Sequence, residues 1–532
     1  MRTLALLFLS LAAAAQSEPP PALSGQVINA LTSAPLGKAR LLLVPAQSPN
    51  DWNHSYAATS APDGKFTIPS IEPGRYLLRI SRNGFVATEY PLPLDLPATP
   101  PKSLTLRLTP FSVIAGRVLD SDGDPLDQAQ VQILRTRYVN GRKTLATLRS
   151  ASTNDLGEFR VANLKPGIYY LYATSLAGAP PKSHQAERLV PVYYPDAPDS
   201  STAAPITLEP GAEVRTGDIR LPSARTATIR GKVVVEIPNA SHPNVRLFLR
   251  NSHDASAAGI YSFHSAELST SGEFVITSVE PGEYLAQAEV GQNGIARAGI
   301  TPVSVRGNDI EGVTIVINNP STLSGRLRVD GDAGLDLSKA RVELLKGGPA
   351  VDASRTVDSG RVQPDRSFRI NGVQTDTYAL VATQLPQGYY MSRVTVGGAD
   401  VTYTGFELSS AVASPIEILI SRKAGSVSGT VDPPQGRPAA PQLTVALVPK
   451  DPVLRKFAFR FADTPAPGGR FSITNVPPGD YLAFAWEDVE PGAWMDPDFL
   501  KPWEEHGLAV TVPEAGQASL RLPALAPSTQ PH

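Results

Sequence analysis

The stretch IEPGRYLLRI at residues 71–80 decides the fold, because near-copies of it recur along the chain. Proline fixes φ at about −65° and glycine can take positive φ, so Pro73–Gly74 predicts a tight reversal between two strands. Tyr76, Leu78 and Ile80 then alternate with other residues, as in a β-strand with one buried face. The near-copies are LKPGIYYLYA at 164–173, VEPGEYLAQA at 279–288, VPPGDYLAFA at 476–485 and the eroded VQTDTYALVA at 373–382. The chain therefore repeats one hairpin five times.

A glycine and a phenylalanine precede every hairpin. The phenylalanine comes ten residues before the tyrosine in all five copies, and the glycine comes 51 to 53 residues before it. The anchors are Gly25, Phe66 and Tyr76; Gly116, Phe159 and Tyr169; Gly231, Phe274 and Tyr284; Gly325, Phe368 and Tyr378; and Gly429, Phe471 and Tyr481. We expect each tyrosine in a core, with its hydroxyl on a backbone group at the corner of a sandwich.

Alternating apolar segments such as LTLRL at 104–108 predict six or seven short strands per copy, and no segment after the N-terminus has the periodicity of a helix. The prediction is an all-β chain, a tandem array of five antiparallel, Greek-key-type β-sandwich domains. The predicted domains are residues 22–110, 111–222, 223–319, 320–422 and 423–525, followed by a disordered tail at 526–532. Joins are short, as in LTPF at 108–111, so we expect a semi-rigid extended array.

The motifs SGxV, PLxxAxV, GxFxI and PGxYxL recur in this order, the second as DPLDQAQV at 124–131. Over essentially the whole chain after the N-terminus, this set resembles the carboxypeptidase regulatory-like domain. That domain is a transthyretin-like β-sandwich, found in tandem in secreted bacterial proteins and grouped with carbohydrate-binding-like folds. The resemblance implies an accessory domain, which in the family accompanies a peptidase, an outer-membrane receptor or a surface stalk. The fourth copy has DRSF and TDTY at the GxF and PGxY positions, which affects its expected hairpin geometry but not its pairing.

The N-terminus predicts export. Arg2 precedes an apolar run and an A-x-A cleavage site at 13–15, as in a Sec-type signal peptide at 1–15. No later run has the roughly 20 apolar residues of a membrane helix, so no integral membrane segment is expected after cleavage. Lys plus Arg number 48 against 50 Asp plus Glu, so nucleic acid is not an expected partner. With no cysteine, the chain is expected to pack without disulfides in a secreted, periplasmic or cell-surface location.

The sequence predicts no catalytic residues and no cofactor. His184 and Glu187 have the spacing of an H-x-x-E zinc motif, but they lie in a polar loop without a third ligand, so chance explains them better. Asp120, Asp122 and Asp124 resemble the start of a calcium loop, although Pro125 stands where that loop needs glycine, and a solvated turn is the alternative.

Aromatic residues give the candidate binding site. On the tyrosine strand, the side opposite the core carries rings in the second and fifth copies, and further rings follow nearby. The candidates are Tyr170, Tyr172, Tyr193, Tyr194, Phe484, Trp486, Trp494 and Trp503. Exposed planar rings stack on sugars and anchor protein interfaces. The alternative is that they cover the second sheet or pack on a neighbouring domain.

Three functions remain open from the sequence. The first is a non-catalytic exported protein that binds polysaccharide or a cell-surface protein through these rings. The second is a structural spacer or stalk without a small-molecule ligand. The third and most remote is a hydrolase of unrecognised type, which His184 or Glu187 would have to serve.

Overall fold

The computed structural model describes residues 22–48, 52–89, 94–96, 103–139, 141–175, 187–236, 244–249, 263–266, 268–292, 295–318, 321–331, 334–348, 355–408, 415–433 and 443–526. The predicted signal peptide and all but the first residue of the predicted tail lie outside these ranges. Between Phe111 and Ser112 the fold divides into two compact units.

Five groups of strands follow one another along the chain. The first is β1 (Leu23–Asn29), β2 (Arg40–Pro45), β3 (Tyr56–Thr59), β4 (Lys65–Ile68), β5 (Gly74–Ser81), β6 (Thr88–Glu89), β7 (Leu94–Leu96) and β8 (Leu104–Leu108), with a 3₁₀ turn at Trp52–His54. The second is β9 (Ser112–Leu119), β10 (Ala129–Val139), β11 (Arg142–Ser152), β12 (Glu158–Leu164), β13 (Gly167–Ser175), β14 (Glu187–Leu189), β15 (Val192–Tyr193), β16 (Ile206–Leu208), β17 (Glu213–Arg220) and β18 (Ser223–Arg225). The third is β19 (Ala227–Val235), β20 (Asn244–Leu249), β21 (Phe263–Ala266), β22 (Glu273–Val279), β23 (Gly282–Gln292), β24 (Ile295–Val305) and β25 (Ile310–Ile317).

The last two groups contain more irregular structure. The fourth is β26 (Ser321–Val329), β27 (Arg341–Lys346), β28 (Arg355–Arg361), β29 (Ser367–Val373), β30 (Asp376–Thr383), β31 (Tyr390–Val396), β32 (Ala399–Asp400), β33 (Phe406–Leu408) and β34 (Ile416–Ser421). The fifth is β35 (Gly425–Asp432), β36 (Leu443–Pro449), β37 (Ala462–Pro465), β38 (Arg470–Val476), β39 (Gly479–Glu487), β40 (Leu508–Val512) and β41 (Gln517–Pro523). It also holds α1 (Pro497–Leu500) and 3₁₀ turns at Leu454–Lys456, Ala458–Arg460, Pro467–Gly469, Ala493–Met495 and Lys501–His506.

Every group forms a sandwich of two sheets with one topology. In the first sheet, the opening strand lies between the phenylalanine strand and the last strand, in the orders β4-β1-β8, β12-β9-β17, β22-β19-β25, β29-β26-β34 and β38-β35-β41. In the second group this last strand is β17, and the short β18 that follows it pairs with β14 in a separate two-stranded sheet. In the second sheet, the order is β3-β2-β5, β11-β10-β13, β21-β20-β23, β28-β27-β30 and β37-β36-β39. The opening strand is parallel to the last strand, and the other ladders of the described residues are antiparallel. The parallel pair is possible because its strands are separated by a whole domain rather than joined by a hairpin. The predicted all-β sandwich array is confirmed.

Each sandwich encloses its own hydrophobic core. The period of two that the sequence shows produces these cores directly: in β4, Phe66 and Ile68 are buried while Lys65 and Thr67 are exposed. Full burial of such a side chain contributes roughly 1.5–3 kcal/mol relative to exposure. Because each core draws on one consecutive segment, the sandwiches are local units of packing.

The repeated glycine is explained by the repeated phenylalanine, which lies across from it on the neighbouring strand. A Cβ at Gly25 would stand 2.8 Å from the Phe66 ring and 2.3 Å from the carbonyl oxygen of Leu104 on the parallel strand. A Cβ at Gly429 would stand 1.9 Å from the carbonyl oxygen of Leu520. A Cβ would collide in the same way at Gly231 and Gly325, and at Gly116 it would meet the Phe159 ring and the hydroxyl oxygen of Thr216. The glycine therefore leaves room for a ring and a close parallel strand.

The repeated tyrosine closes the hairpin through its hydroxyl, as predicted. Tyr76 donates to the carbonyl oxygen of Glu72 at 3.0 Å. Its equivalents Tyr169, Tyr284 and Tyr481 each donate to the carbonyl four residues earlier, at 2.7, 2.9 and 2.7 Å. A Cβ at Gly74 would lie 3.1 Å from the Tyr76 ring, so the glycine of the PG pair gives the ring room to fold back.

Every hairpin has a residue of positive φ that the sequence did not predict, four residues before the position of Gly74. Gly74 is not among the residues with positive φ; Ser70 is, at 56°. The same position is occupied by Asn163, Ser278, Gly372 and Asn475, with φ of 59°, 59°, 79° and 61°. In four sandwiches it falls where the register of the phenylalanine strand shifts, which is a β-bulge. The bulge residue has positive φ in all five sandwiches, whereas the glycine of the PG pair has it in two, at Gly167 (146°) and Gly479 (149°).

The fourth sandwich departs from the others, as its sequence predicts. Among the described residues, the Tyr378 hydroxyl makes no hydrogen bond like those of the other four tyrosines, and its ring instead contacts Phe406 at 6.4 Å between centroids. In addition β31 pairs with β34, which extends the first sheet to the order β29-β26-β34-β31-β32. The strand pairings around the hairpin are kept.

Candidate functional site

The four candidate rings of the fifth sandwich are buried, which corrects their interpretation as an exposed stacking surface. The exposed fractions of Phe484, Trp486, Trp494 and Trp503 are 1%, 0%, 3% and 6%. The rings belong to a second hydrophobic cluster, separate from the core between the sheets. The physical reason is the insert, which we define as residues 488–507. It follows β39 and packs over the outer face of β36 and β39.

The faces of these rings are occupied by one another. Phe484 and Trp486 stack at 4.8 Å between centroids with planes 10° apart, and Trp486 and Trp494 stack at 6.4 Å and 11°. Phe499 of the insert meets Trp486 edge-on at 5.7 Å. Such pairs are worth roughly 0.5–1.5 kcal/mol beyond the burial of their area. This cluster therefore serves packing, and no face of Trp486 is open to a sugar.

The candidate tyrosines of the second sandwich are also packed. Tyr172 and Tyr193 are buried, with centroids 5.0 Å apart, in a small cluster that includes Leu134. Burial raises the pKa of the Tyr172 hydroxyl, with the neighbouring Tyr193 adding to it. Tyr170 and Tyr194 are half-buried against this cluster and the main core respectively. All four tyrosines therefore fit the alternative interpretation, in which the rings cover the second sheet.

The second and fifth sandwiches, which carry the candidate rings, contact each other. At the end of the β10–β11 hairpin, Tyr138 meets Phe499 of the insert edge-on, at 6.1 Å between centroids and 66° between planes. Arg135 Nη2 lies 3.4 Å from Glu490 Oε1. The four sandwiches of residues 112–532 therefore do not lie in a straight line, which corrects the expectation of an extended array for this unit. Short joins limit the distance between neighbours but do not set its direction.

Electrostatics at this contact link the two sandwiches further. Burial raises the pKa of the Tyr138 hydroxyl, and the carboxylates of Asp496 and Glu490 add to the effect. Burial also raises the pKa of the Asp496 carboxyl group, although Lys143 of the hairpin opposes the shift. Asp496 accepts a hydrogen bond from the backbone N–H of Asp498 at 2.9 Å and so caps α1. The acidic insert thus faces a hairpin end with Arg135 and Lys143.

The fourth and fifth sandwiches are joined by an amide side chain and an aromatic group. Asn475, the bulge residue of the fifth sandwich, accepts from the Gly388 N–H at 2.8 Å and donates through Nδ2 to the carbonyl oxygen of Leu385 at 3.1 Å. The ring centroids of Tyr403 and Phe459 lie 5.7 Å apart, and Phe459 also packs against the core of the fourth sandwich. A small cleft of about 230 Å³ lies beside Asn475. The two sandwiches are held at more points than the join itself.

A larger, charged cleft of about 470 Å³ lies on the outer face of β12-β9-β17 in the second sandwich. Arg117 Nη2 lies 2.8 Å from Asp218 Oδ2, and Arg160 Nη2 lies 3.0 Å from Glu213 Oε2. Because its arginine partner donates a hydrogen bond, the pKa of the Asp218 carboxyl group is lowered. The cleft forms where the register between β9 and β17 shifts next to Gly217. Its lining is suited to polar ligands.

The candidate metal ligands Asp120, Asp122 and Asp124 form a turn. Within the described ranges, no group of three His, Asp or Glu side chains could hold a metal ion. The carboxylate of Asp120 instead accepts from the backbone N–H groups of Asp122 and Asp124 at 3.0 and 2.9 Å, as in a solvated turn. His184 lies outside the described residues, while Glu187 is in β14 and accepts from Ser223 at 3.1 Å.

The comparison with protein families covers the first two sandwiches. Residues 22–109 and 113–222 match the family model of the carboxypeptidase regulatory-like domain. These two segments are carboxypeptidase regulatory-like domains. The third to fifth sandwiches share with these regulatory-like domains the strand order and the Gly, Phe and Tyr anchors. No curated protein is significantly similar to the chain.

Several solved structures resemble parts of the chain at low identity. A Streptococcal ancillary pilin is 13% identical, with a TM-score of 0.21 over 56% of this chain and 98% of its own. The minor pilin GBS52 of Streptococcus agalactiae is 14% identical, with a TM-score of 0.23 over 38% and 97%. A putative carbohydrate binding protein from Pseudomonas aeruginosa is 12% identical, with a TM-score of 0.13 over 17% and 88%. TM-scores this low carry no argument about function.

The sequence reading missed the residues that connect the regulatory-like domain at 113–222 to the fifth sandwich. Tyr138 and Phe499 belong to no repeated motif, and neither does the pairing of Arg135 with Glu490. The strands β10 and β11 are long, with 11 residues each against six in β2, but β23 and β24 of the third sandwich are equally long. The length of a hairpin therefore does not by itself indicate such a contact. The described helices are all short, and none of them is long and apolar enough to cross a membrane.

Proposed function

We propose that this protein is an exported, non-catalytic scaffold, built from five sandwich domains with the boundaries given above, that holds a defined surface for a protein partner outside the cytoplasm. The observation that carries the proposal is the burial of Phe484, Trp486, Trp494 and Trp503. Rings that could have served a ligand instead stabilise one sandwich and support its contacts. The regulatory-like domains at 22–109 and 113–222, an accessory domain type, support a surface or structural role.

Contacts between sandwiches support a scaffold rather than a flexible string. A stalk that only sets a distance needs joins alone. Here the fifth sandwich is held by Asn475 to the fourth and by Glu490 and Phe499 to the second. Several weak contacts at separated points restrict the orientation of a domain more than a single join does. A fixed arrangement is useful where a partner must contact several domains at once.

A second candidate function is polysaccharide binding, favoured by the charged cleft of the second sandwich. Side chains such as Arg160, Glu213 and Asp218 can donate to and accept from sugar hydroxyls, and the cleft is open to solvent. Its weakness is that no aromatic face lines it for stacking, because the ring of Phe159 is buried. Half-buried Tyr170 and Tyr194 are the remaining aromatic candidates.

The test is tryptophan fluorescence of the full-length chain carrying Trp52→Phe. This substitution removes the single tryptophan outside the fifth sandwich, so that Trp486, Trp494 and Trp503 alone report. We expect a blue-shifted emission that does not change when soluble plant and microbial polysaccharides are added. A saturable shift that disappears in Trp494→Ala would replace the scaffold proposal with carbohydrate stacking. Polysaccharide binding that leaves the tryptophan emission unchanged but is lost in Arg160→Ala would favour the charged cleft as the binding site.

A further inference from the structure

The end of the β10–β11 hairpin extends past the sheet that supports it. β10 pairs with β13 only from Ala129 to Leu134, whereas its pairing with β11 continues to Val139. From Arg135 onward the hairpin is thus a two-stranded ribbon, and an isolated ribbon is marginally stable in water. The ribbon meets the insert of the fifth sandwich at this point. Its packing partner therefore lies three sandwiches further along the chain.

The insert presents a complementary surface. Phe499 contacts Trp486 on one side and Tyr138 on the other, so it connects the second cluster of the fifth sandwich to the hairpin. Around this aromatic centre, Arg135 and Lys143 face Glu490 and Asp496. A ring contact surrounded by charges of opposite sign is typical of a specific protein interface.

The contact is small, and this sets its strength. Between the described residues it has one aromatic pair, and one ion pair whose side chains remain 40% and 31% exposed. Exposed ion pairs and single ring pairs are each weak, and salt screens the first of them. The two surfaces are nevertheless part of one chain, which gives them a high effective concentration. A weak contact of this kind can close and open.

We propose that the β10–β11 hairpin and the insert form a reversible latch that closes the unit of residues 112–532 on itself. When it is closed, Tyr138 and Phe499 cover each other. When it opens, both rings and the charged groups around them become available to a partner. The closed form predominates at low salt, and raising the salt concentration shifts the population toward the open form. The latch shares this contact with the proposed scaffold: when it opens, the fifth sandwich remains held to the fourth through Asn475, and the buried rings that carry the scaffold proposal are unaffected.

The chain contains no cysteine, so two introduced cysteines can report closure without background. A Cβ at Gly492 would lie 3.6 Å from the Cβ of Tyr138, within the range of about 3.5–4.5 Å found in disulfides. Because Tyr138→Cys removes the ring that meets Phe499, closure in this variant relies on the ion pair of Arg135 with Glu490. We expect the full-length variant Tyr138→Cys/Gly492→Cys to form an intramolecular disulfide under mild oxidation, detected by mass spectrometry of the linked peptide. The matched control is Tyr138→Cys/Gly398→Cys. Gly398 has φ of 84° against 82° for Gly492, and a Cβ there would have no neighbour within 4 Å.

Closure is absent, and the proposal overturned, if the Gly492 pair links no faster than the Gly398 pair. A disulfide-linked dimer would also overturn it, because the contact would then lie between copies. Reversibility is tested by the rate of linkage: we expect it to fall roughly two- to fivefold between low and high salt, as for an exposed ion pair. Arg135→Glu should slow disulfide linkage by a similar factor, and adding Glu490→Arg to that variant should restore the rate. Linkage that is indifferent to salt and to both charge changes would describe a fixed interface and refute the latch.

Discussion

Replacing Tyr481 with phenylalanine removes one oxygen atom from the hairpin of the fifth sandwich. Its hydroxyl donates to the Pro477 carbonyl at 2.7 Å, and the side chain is buried. A typical hydrogen bond contributes about 0.5–1.5 kcal/mol net, and a buried acceptor left without a donor costs more. We therefore expect the sandwich to lose about 1–2 kcal/mol of stability. Tyr378→Phe is the matched control, because among the described residues its hydroxyl makes no such bond; we expect a loss near zero.

Hydrogen exchange of the full-length chain measures this loss without assuming that the five sandwiches unfold together. A loss of 1–2 kcal/mol corresponds to a change of roughly 5- to 30-fold in the opening equilibrium. Amides of β36 and β39 should exchange faster by that factor in Tyr481→Phe. The equivalent amides of β27 and β30 should be unchanged in Tyr378→Phe. The reasoning is refuted if both substitutions accelerate exchange equally, or if Tyr481→Phe changes it by less than about twofold.

Two further predictions concern the anchors. Gly429→Ala places a Cβ 1.9 Å from the Leu520 carbonyl oxygen, so the parallel strand must move, and we expect a loss of stability of about 1–3 kcal/mol or more. The control Thr430→Ala, on the exposed side of the same strand, should cost under about 1 kcal/mol. Hydrogen exchange of the β35 amides distinguishes the two variants. Burial raises the pKa of Tyr76 and Tyr481 to about 12 from 10.0, so the folded state keeps protons that the unfolded state loses. Stability should be complete below pH 10 and decline from there to pH 12, with tyrosinate absorbance and circular dichroism changing together. Unfolding that begins well below pH 10 would contradict this account.

The fold could be predicted because its determinants are local. Gly429 and Phe471 face each other on neighbouring strands, and Tyr481 folds back on its own hairpin. Interactions of this kind leave a fixed spacing in the sequence. The positive φ expected at the PG glycine occurs at Gly167 and Gly479 but not at Gly74. The one at Ser70 was missed, because serine and asparagine reach the left-handed region without the signature of glycine. Only the fourth sandwich has a glycine at this bulge position, Gly372.

The candidate site could be predicted only in part. Alternation along β39 correctly placed Phe484 and Trp486 opposite the core of the sandwich. Alternation cannot show whether that outer face meets water, because this depends on the path of the insert, which has no periodic pattern. The contact of Tyr138 with Phe499 joins residues far apart in sequence and leaves no spacing to detect. Burial on the outer face is a property of tertiary structure.

The differences between sandwiches are concentrated after the tyrosine strand, and this location has a physical basis. The Gly, Phe and Tyr anchors hold the two sheets together before that point, so the connection to the last strand can change without disturbing the core. In the fifth sandwich this connection is the insert that buries Trp494 and carries Phe499. In the fourth sandwich this connection supplies β31 and also Gly388, whose backbone N–H donates to the side-chain oxygen of Asn475. Both contacts of the fifth sandwich with other sandwiches use such a connection. The latch therefore joins such a connection, in the fifth sandwich, to the end of the β10–β11 hairpin in the second, while the repeated motif supplies a constant frame for both.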